Sequence, residues 1–341
     1  MLLITRKELR AWRTGPKIYR WFLRNFPEGG RYADVHNALI RHGYVDWATS
    51  LVEYAYSLWL EKENFALQET DATDLLADVL SHRLMTVDIS SSLFLPSLHS
   101  STPNDFKSAV ANQYAGRQAS GADYFSVMNI DNGSQISNSG DEARIGSTGS
   151  SVRIASSGVN SQIGSCGEYG WISSSGYSTQ VASCGYGARV GCVGHDVRVG
   201  SSGDRARIAA AGNSAKISSS GRGVKIGSAG MRARISSVGD SSKVASAGDL
   251  SHISSFGTEA RVVSAGNDAR IVAMGMGSLI ACAGSIDYVV LGKGGCASIP
   301  YFDGERIRFA VAYEGEGNIK AGVKYCLNHQ HQFVEWDSEI R

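Results

Sequence analysis

Between residues 122 and 292 one β-branched residue recurs every nine positions without an insertion. Counting each unit from its glycine, as in GNDARIVAM at residues 266–274, position six is Ile or Val in all nineteen units, from Val127 and Ile136 through to Ile280 and Val289. Positions four and eight are mostly Ala, Ser, Val or Cys, and position five is Arg or Lys in eleven units. Such a unit is a short strand whose even positions face inward, followed by a turn around Gly, often with Asp or Asn at position two. One large apolar side chain per unit cannot fill a wide interior. A thin 18-residue coil of two strands and two turns therefore fits the pattern better than a three-sided coil built from three units. Nineteen units give about nine and a half coils, a rod of roughly 45 Å at about 4.8 Å per stacked strand.

On either side the period changes. Thr5 and Glu8 form a T-x-x-E capping box ahead of Leu9, Trp12, Tyr19, Trp21, Phe22 and Phe26, an aromatic-rich helical pattern. After Gly29 and Gly30, two more helices are expected on either side of Gly43, carrying Val35 and Leu39, then Trp47, Leu51, Tyr54 and Leu58. A helical domain of residues 1–64 is near the lower limit for a self-supporting core and richer in aromatics than it can bury alone. It is expected to lean on a neighbour or a second copy, so partner docking or homo-oligomer formation is assigned to it. Residues 65–121 are expected to be a linker with short helices, one in TDATDLLADVLSHRLM and one around residues 106–113, separated by the Ser/Pro/Asn-rich SSSLFLPSLHSSTPND. Residues 293–341 alternate (Ile307, Phe309, Val311, Tyr313) between Gly-rich turns, suiting a β-rich cap over the strand edges at the C-terminal end. The expected fold is mainly β: a nonapeptide-repeat β-solenoid over 122–292, an N-terminal helical domain and a C-terminal β cap.

Composition narrows the chemistry. The 40 glycines against 5 prolines agree with a repeat architecture, and a net charge of +1 leaves any nucleic-acid or membrane partner to be argued locally. The opening MLLITRKELRAW lacks a signal-peptide core and no run of uncharged apolar residues approaches the length of a membrane span, so a cytoplasmic location without a membrane partner is expected. The six cysteines (Cys166, Cys184, Cys192, Cys282, Cys296, Cys326) form no CxxC pair, so neither a zinc site nor a disulfide framework is expected, and no cofactor. Cys166 and Cys184 should be direct neighbours one coil apart, where a reducing cytoplasm favours free thiols. Ser and Cys at positions eight and nine are expected to pack rather than act as nucleophiles, since no His-and-acid pair recurs beside them.

The candidate binding residues lie at position five. An 18-residue coil stacks Arg189, Arg207, Lys225, Lys243 and Arg261 on one face and Arg198, Lys216, Arg234 and Arg270 on the other, with His252 in the gap. Such cation ladders could engage a polyanion, nucleic acid included. The plainer expectation is that they are solvated charges guarding exposed strands, because both faces are basic and the array balances 14 Lys/Arg with 12 Asp/Glu. Calcium-binding nonapeptides place Gly-Gly and Asp at fixed positions, whereas Asp141, Glu142, Asp204, Asp240, Asp249 and Asp268 occur irregularly. His329 and His331 near Cys326 could ligate a metal from one strand face, but no second pair accompanies them.

The segments TRKELRAW, YRWFLRNFPEGGRYADVHNAL and DGERIRFAVAYEGEGNIKAGVKYCL, with the serine/glycine array between them, resemble a group of uncharacterised proteins encoded by lambda-like phages and prophages of enterobacteria. The resemblance implies a phage or prophage origin and expression in the cytoplasm of a bacterial host, and brings no activity or catalytic residues. The expected function is a non-enzymatic accessory scaffold, a rigid solenoid holding two end domains apart and binding a host or phage protein. A virion or tail-associated component and a nucleic-acid binder are the alternatives.

Overall fold

Each strand of the array lies parallel to the strand two units away: Val190 beside Ile208, Ile208 beside Ile226, Ile226 beside Val244. Successive nine-residue units fall alternately into two sheets of twelve strands each, so the coil has two sides and is two units long. The computed structural model describes residues 2–12, 14–42, 44–83 and 117–337. Position six of every unit points between the sheets, and these Ile and Val side chains form one continuous core along the axis. At about 1.5–3 kcal/mol for each buried Ile or Val, this column is the main source of stability. The solenoid exceeds the array by one strand at each end. Arg117–Ser120 precedes it with Gln118 in the position-six slot, and Cys296–Phe302 follows it one residue out of period, Leu279 pairing with Cys296.

The turns assign glycine an unexpected role. At position one it is needed for space: a Cβ on Gly212 would lie 1.9 Å from the carbonyl oxygen of Gly194, and one on Gly239 would lie 1.7 Å from that of Gly221. The left-handed conformation falls two residues later. Position three has positive φ in every unit from Tyr124 to Gly277, and in fourteen of these the residue is not glycine. Position two staples the turn to the next coil, as when Asp204 Oδ1 accepts from the Arg222 N–H at 2.7 Å and Asp249 Oδ1 from the Asn267 N–H at 2.7 Å.

The expected C-terminal cap extends both sheets with antiparallel strands, Ile307–Tyr313 on one and Lys324–Leu327 followed by Phe333–Glu335 on the other. The helical region comprises α1 (Arg6–Ala11), α2 (Pro16–Asn25), α3 (Tyr32–Arg41), α4 (Val45–Trp59) and α5 (Glu63–Arg83). The Thr5/Glu8 capping box is present at α1. Trp12 stacks on Tyr54 at 5.0 Å, and Phe22, Tyr32, Leu51, Tyr56, Trp59 and Phe65 complete the core. Phe65 and Ala72 belong to that core, so the boundary expected at residue 64 falls inside α5, and a 21-residue helix replaces the first part of the expected linker. The helix expected around residues 106–113 and the Ser/Pro/Asn-rich stretch lie outside the described residues.

Nor are the end domains held apart. The helical region folds back onto one sheet, where α5 lies along the solenoid from the strand Arg234–Ser237 to the strand Ser126–Asn129. The lengths agree: a helix as long as α5 spans about 32 Å and six strand steps about 29 Å. The contacts between the two are mainly polar, made by Glu53, Glu61 and Glu69 with cations of the sheet and by Ser218 with Ala66.

The corner geometry separates two substitutions within similar turns. Gly212→Ala drives a methyl into the preceding coil and should lower stability in urea by at least about 2 kcal/mol. Leu250→Gly relieves a left-handed φ of 57° and should leave stability within about 1 kcal/mol of wild type or raise it. The reverse ranking would contradict the placement of close approach at position one and backbone strain at position three.

Candidate functional site

The two position-five ladders meet different surroundings. On the sheet under the helices, Arg198 is only 4% exposed, Lys216 is buried, and carboxylates from the helical region face the ladder. Glu53 of α4 pairs with both Lys216 and Arg234, the latter at 3.1 Å. Glu61, between α4 and α5, accepts from Tyr288 and pairs with His252 at 3.1 Å and Lys324 at 2.9 Å. The His252 hydrogen bond, helped by Tyr288 and Lys324, holds Glu61 down at about 2 against the opposing effect of burial. Arg270 pairs with Asp287 at 2.7 Å. The expectation of a solvated ladder is therefore wrong for Arg198 and Lys216, because an acidic helical surface covers them.

At the centre, Arg198 makes a two-pronged bond to Glu69 of α5, Nε to Oε1 at 2.6 Å and Nη2 to Oε2 at 2.9 Å. Its Nη1 lies 2.7 Å from His36 Nε2, and the Tyr32 hydroxyl donates to Glu69 Oε2 at 2.7 Å. Burial acts against the Arg198 charge, but Glu69 more than restores it and the guanidinium stays protonated. Burial first, then Arg198, pushes His36 well below its ordinary range, leaving a neutral ring able to accept the Arg198 N–H. Close approach completes the joint. The Ser218 hydroxyl donates to the Ala66 carbonyl at 3.1 Å, and a Cβ on Gly200 would strike the Thr73 side chain at 1.9 Å.

On the opposite sheet no element among the described residues packs over the other ladder. Arg189, Arg207, Lys225, Lys243 and Arg261 are exposed, and among the described residues no carboxylate forms a salt bridge with any of them. The column continues downward through Trp171, Arg153, Gln135 and Arg117, with Arg153 and Arg189 over the Trp171 ring at 5.6 and 4.5 Å from its centre. Beside it, position seven lays a floor of small residues, among them Gly191, Ala209, Gly227 and Ala245, and ridge and floor enclose a trough of about 1040 Å³. A Cβ on Gly191 or Gly227 would meet nothing within 4 Å. Register then carries the trough into an apolar end: Arg261 pairs with Leu279, Leu279 with Cys296 and Cys296 with Tyr313, while Val263 leads through Ala281 and Ser298 to Val311. Leu279, Tyr313, Val263 and Val311 are all exposed.

The remaining candidates are structural. Asp141, Asp204, Asp240 and Asp249 serve as position-two staples, and the Thr258 backbone N–H and hydroxyl hold Asp240 below the usual carboxylate range. Glu142 and Asp268 occupy the left-handed position three. Cys166 and Cys184 are direct neighbours one coil apart, as the 18-residue period requires, and are joined as a disulfide with Cα atoms 4.7 Å apart, because position nine stacks in register. Cys192 and Cys282 lie in the core at position eight, where burial pushes each thiol up to about 12. His331 stacks on Tyr301 at 4.2 Å within a turn, so His329 and His331 do not share a strand face. No helix among the described residues is long and apolar enough to cross a membrane.

Glu53, Glu61 and Glu69 were absent from the sequence-derived candidates. A signal was available: residues 53–78 hold seven carboxylates against a single Lys62, an acidic run opposite a basic ladder.

Residues 1–60 match the family described as the YdhT N-terminal domain. Over 76 residues, 22% of this chain, the sequence is 59% identical to the uncharacterized protein YdhT of Escherichia coli (strain K12), and the matched stretch spans 28% of that relative's length. No solved structure matches.

Two substitutions probe the covered face. Glu69→Ala leaves Arg198 buried without a counter-charge and should weaken docking of the helical region by about 3–5 kcal/mol, read as faster amide exchange in α5 with the open-face strands unchanged. Asp74, raised to about 6 by burial that its Ser202 hydrogen bond only partly offsets, opposes folding when ionised. Asp74→Asn should therefore stabilise docking at pH 7, by up to about 3 kcal/mol. The variant should also unmask His36. Because the folded ring titrates below its unfolded value of 6.5, stability is full above that pH and declines as pH falls below it, a decline that Asp74 protonation counteracts in the wild type. Protection factors in α5, taken after dividing out the intrinsic pH dependence of amide exchange, that stay constant from pH 7.5 to about 5 in Asp74→Asn would contradict a buried neutral His36.

Proposed function

We propose that the protein is a non-enzymatic interaction scaffold: a solenoid stiffened by its own helical region on one sheet, offering the cation ladder of the other to an anionic surface of a protein partner. The observation that carries this reading is the contrast between equivalent positions of one repeat. Arg198, Lys216 and Arg234 meet Glu69 and Glu53, while Arg207, Lys225 and Lys243 meet no carboxylate among the described residues. Stacked like charges repel across neighbouring strands, and an anionic partner would relieve that repulsion. A scaffold reading also agrees with the placement of the repeated Ser and Cys of position eight inside the core, away from the trough.

The phage or prophage resemblance of the end segments suggests a cytoplasmic partner, either a protein of an enterobacterial host or a phage protein. A nucleic-acid partner is the second reading, favoured by one feature: the exposed Trp171 ring flanked by Arg153 and Arg189 offers a base a stacking surface between two phosphate-binding groups. The virion-component reading would show itself as capture of tail or capsid proteins alone.

The test is affinity capture from a lysate of phage-infected enterobacterial cells with wild-type protein and an Arg207→Glu/Lys225→Glu/Lys243→Glu variant, each with and without nuclease. Proteins retained after nuclease and lost with the variant are the expected result. Material that disappears with nuclease would shift the assignment to nucleic acid. Capture unaffected by the charge reversal would contradict a role for the open ladder.

A further inference from the structure

We infer that the occupant of the open trough is an acidic α-helix of a partner protein, lying along the solenoid axis with an apolar end over Leu279, Val311 and Tyr313. This inference rests on the scaffold reading above and specifies the chemistry of its partner. The molecule itself supplies the template. On the covered sheet, α5 has five carboxylates against one arginine, runs along the strand stack, and engages a position-five cation through Glu69 while Thr73 settles against the small position-seven residue Gly200. Beyond the end of α5 that face closes in an apolar cluster, Val272, Tyr288 and Val290, which Trp336 covers. The open sheet carries comparable parts: cations at five, a floor of Gly and Ala at seven, and an exposed apolar end reached by strand pairing through Leu279, Cys296 and Tyr313.

Spacing selects a helix among anionic chains. The cations recur about every 4.8 Å, and a helix returns a side chain to the same stripe about every 5.4 Å, a drift of about 0.6 Å per step that flexible Arg and Lys side chains absorb. An extended acidic peptide repeats on one side at about 6.8 Å and loses register by about 2 Å per step. A single-stranded nucleic acid would need successive aromatic platforms, and the run from Arg189 to Arg261 has none on its ridge or floor. A second copy of this chain does not supply the helix, since its Glu53, Glu61 and Glu69 are already engaged on its own covered sheet.

The inference is tested by fluorescence anisotropy on the full-length protein with synthetic probes. The main probe is a stapled Ala-rich helix of about six turns, with one Glu per turn in a single stripe and Leu at one end. The controls are a stapled helix of the same composition with Glu spread around its circumference, a proline-interrupted non-helical version, and oligothymidylate. The striped helix is expected to bind at least about tenfold more tightly than any control, and Arg207→Glu/Lys225→Glu should remove at least about tenfold of that affinity. These side chains are exposed, and an unchanged thermal melt of the variant would show that its fold is intact. Equal binding of all anionic probes, or a preference for oligothymidylate, would overturn the helix assignment and leave the anionic-face reading standing. Binding of none would overturn both.

Discussion

At the corner of each coil, the backbone of position one sits so close to the carbonyl two units earlier that no side-chain carbon fits between them. That approach sets the stacking step, and the step imposes the register. With the register in place, each Ile or Val of position six lies over the next, each Asp or Asn of position two reaches the N–H above it, and each position-five side chain joins a column. Glycine's absent side chain is what matters at the corner. Backbone strain is carried two residues later, by residues such as Leu250, Glu259 and Asp268.

Strict register brings an electrostatic consequence. Cations placed at position five are held about 4.8 Å from their neighbours, where they repel. On one sheet the chain resolves this internally with Glu53, Glu61 and Glu69, and the buried Arg198–Glu69 pair aligns α5 with the strands at an energetic cost that its two-pronged geometry and the flanking Tyr32 and His36 offset. On the other sheet the same chemistry is exposed to solvent, and the partner inferred for it is the counterpart in trans of α5.

Much of the solenoid was legible because its information is one-dimensional. The nine-residue period, the invariant Ile/Val and the scarcity of core volume lead to a two-sided coil by counting alone, and the pairing of Val190 with Ile208 is the direct result. The limits of the array were harder to read. Gln118 replaces the apolar signature in the first strand, and Cys296 enters its pair one residue out of period. The helical region resisted reading for a different reason. Nothing in the spacing of Glu53, Glu61 and Glu69 announces which sheet they will face, since both ladders are basic, and the choice depends on side-chain fit such as Thr73 against Gly200 and Ser218 against Ala66. The position-five residues were visible as cations. Their division into one covered and one open set was not.

The most direct test of that division is the acylation rate of lysines in the native protein, followed by mass spectrometry. Lys216, buried against Glu53, should react at least about tenfold more slowly than the exposed Lys225 and Lys243 one and three units further along the chain, since its ammonium becomes available only through local opening. Equal rates at all three positions would mean that the helical region does not cover its sheet, and that the two faces are not distinguished in the way described.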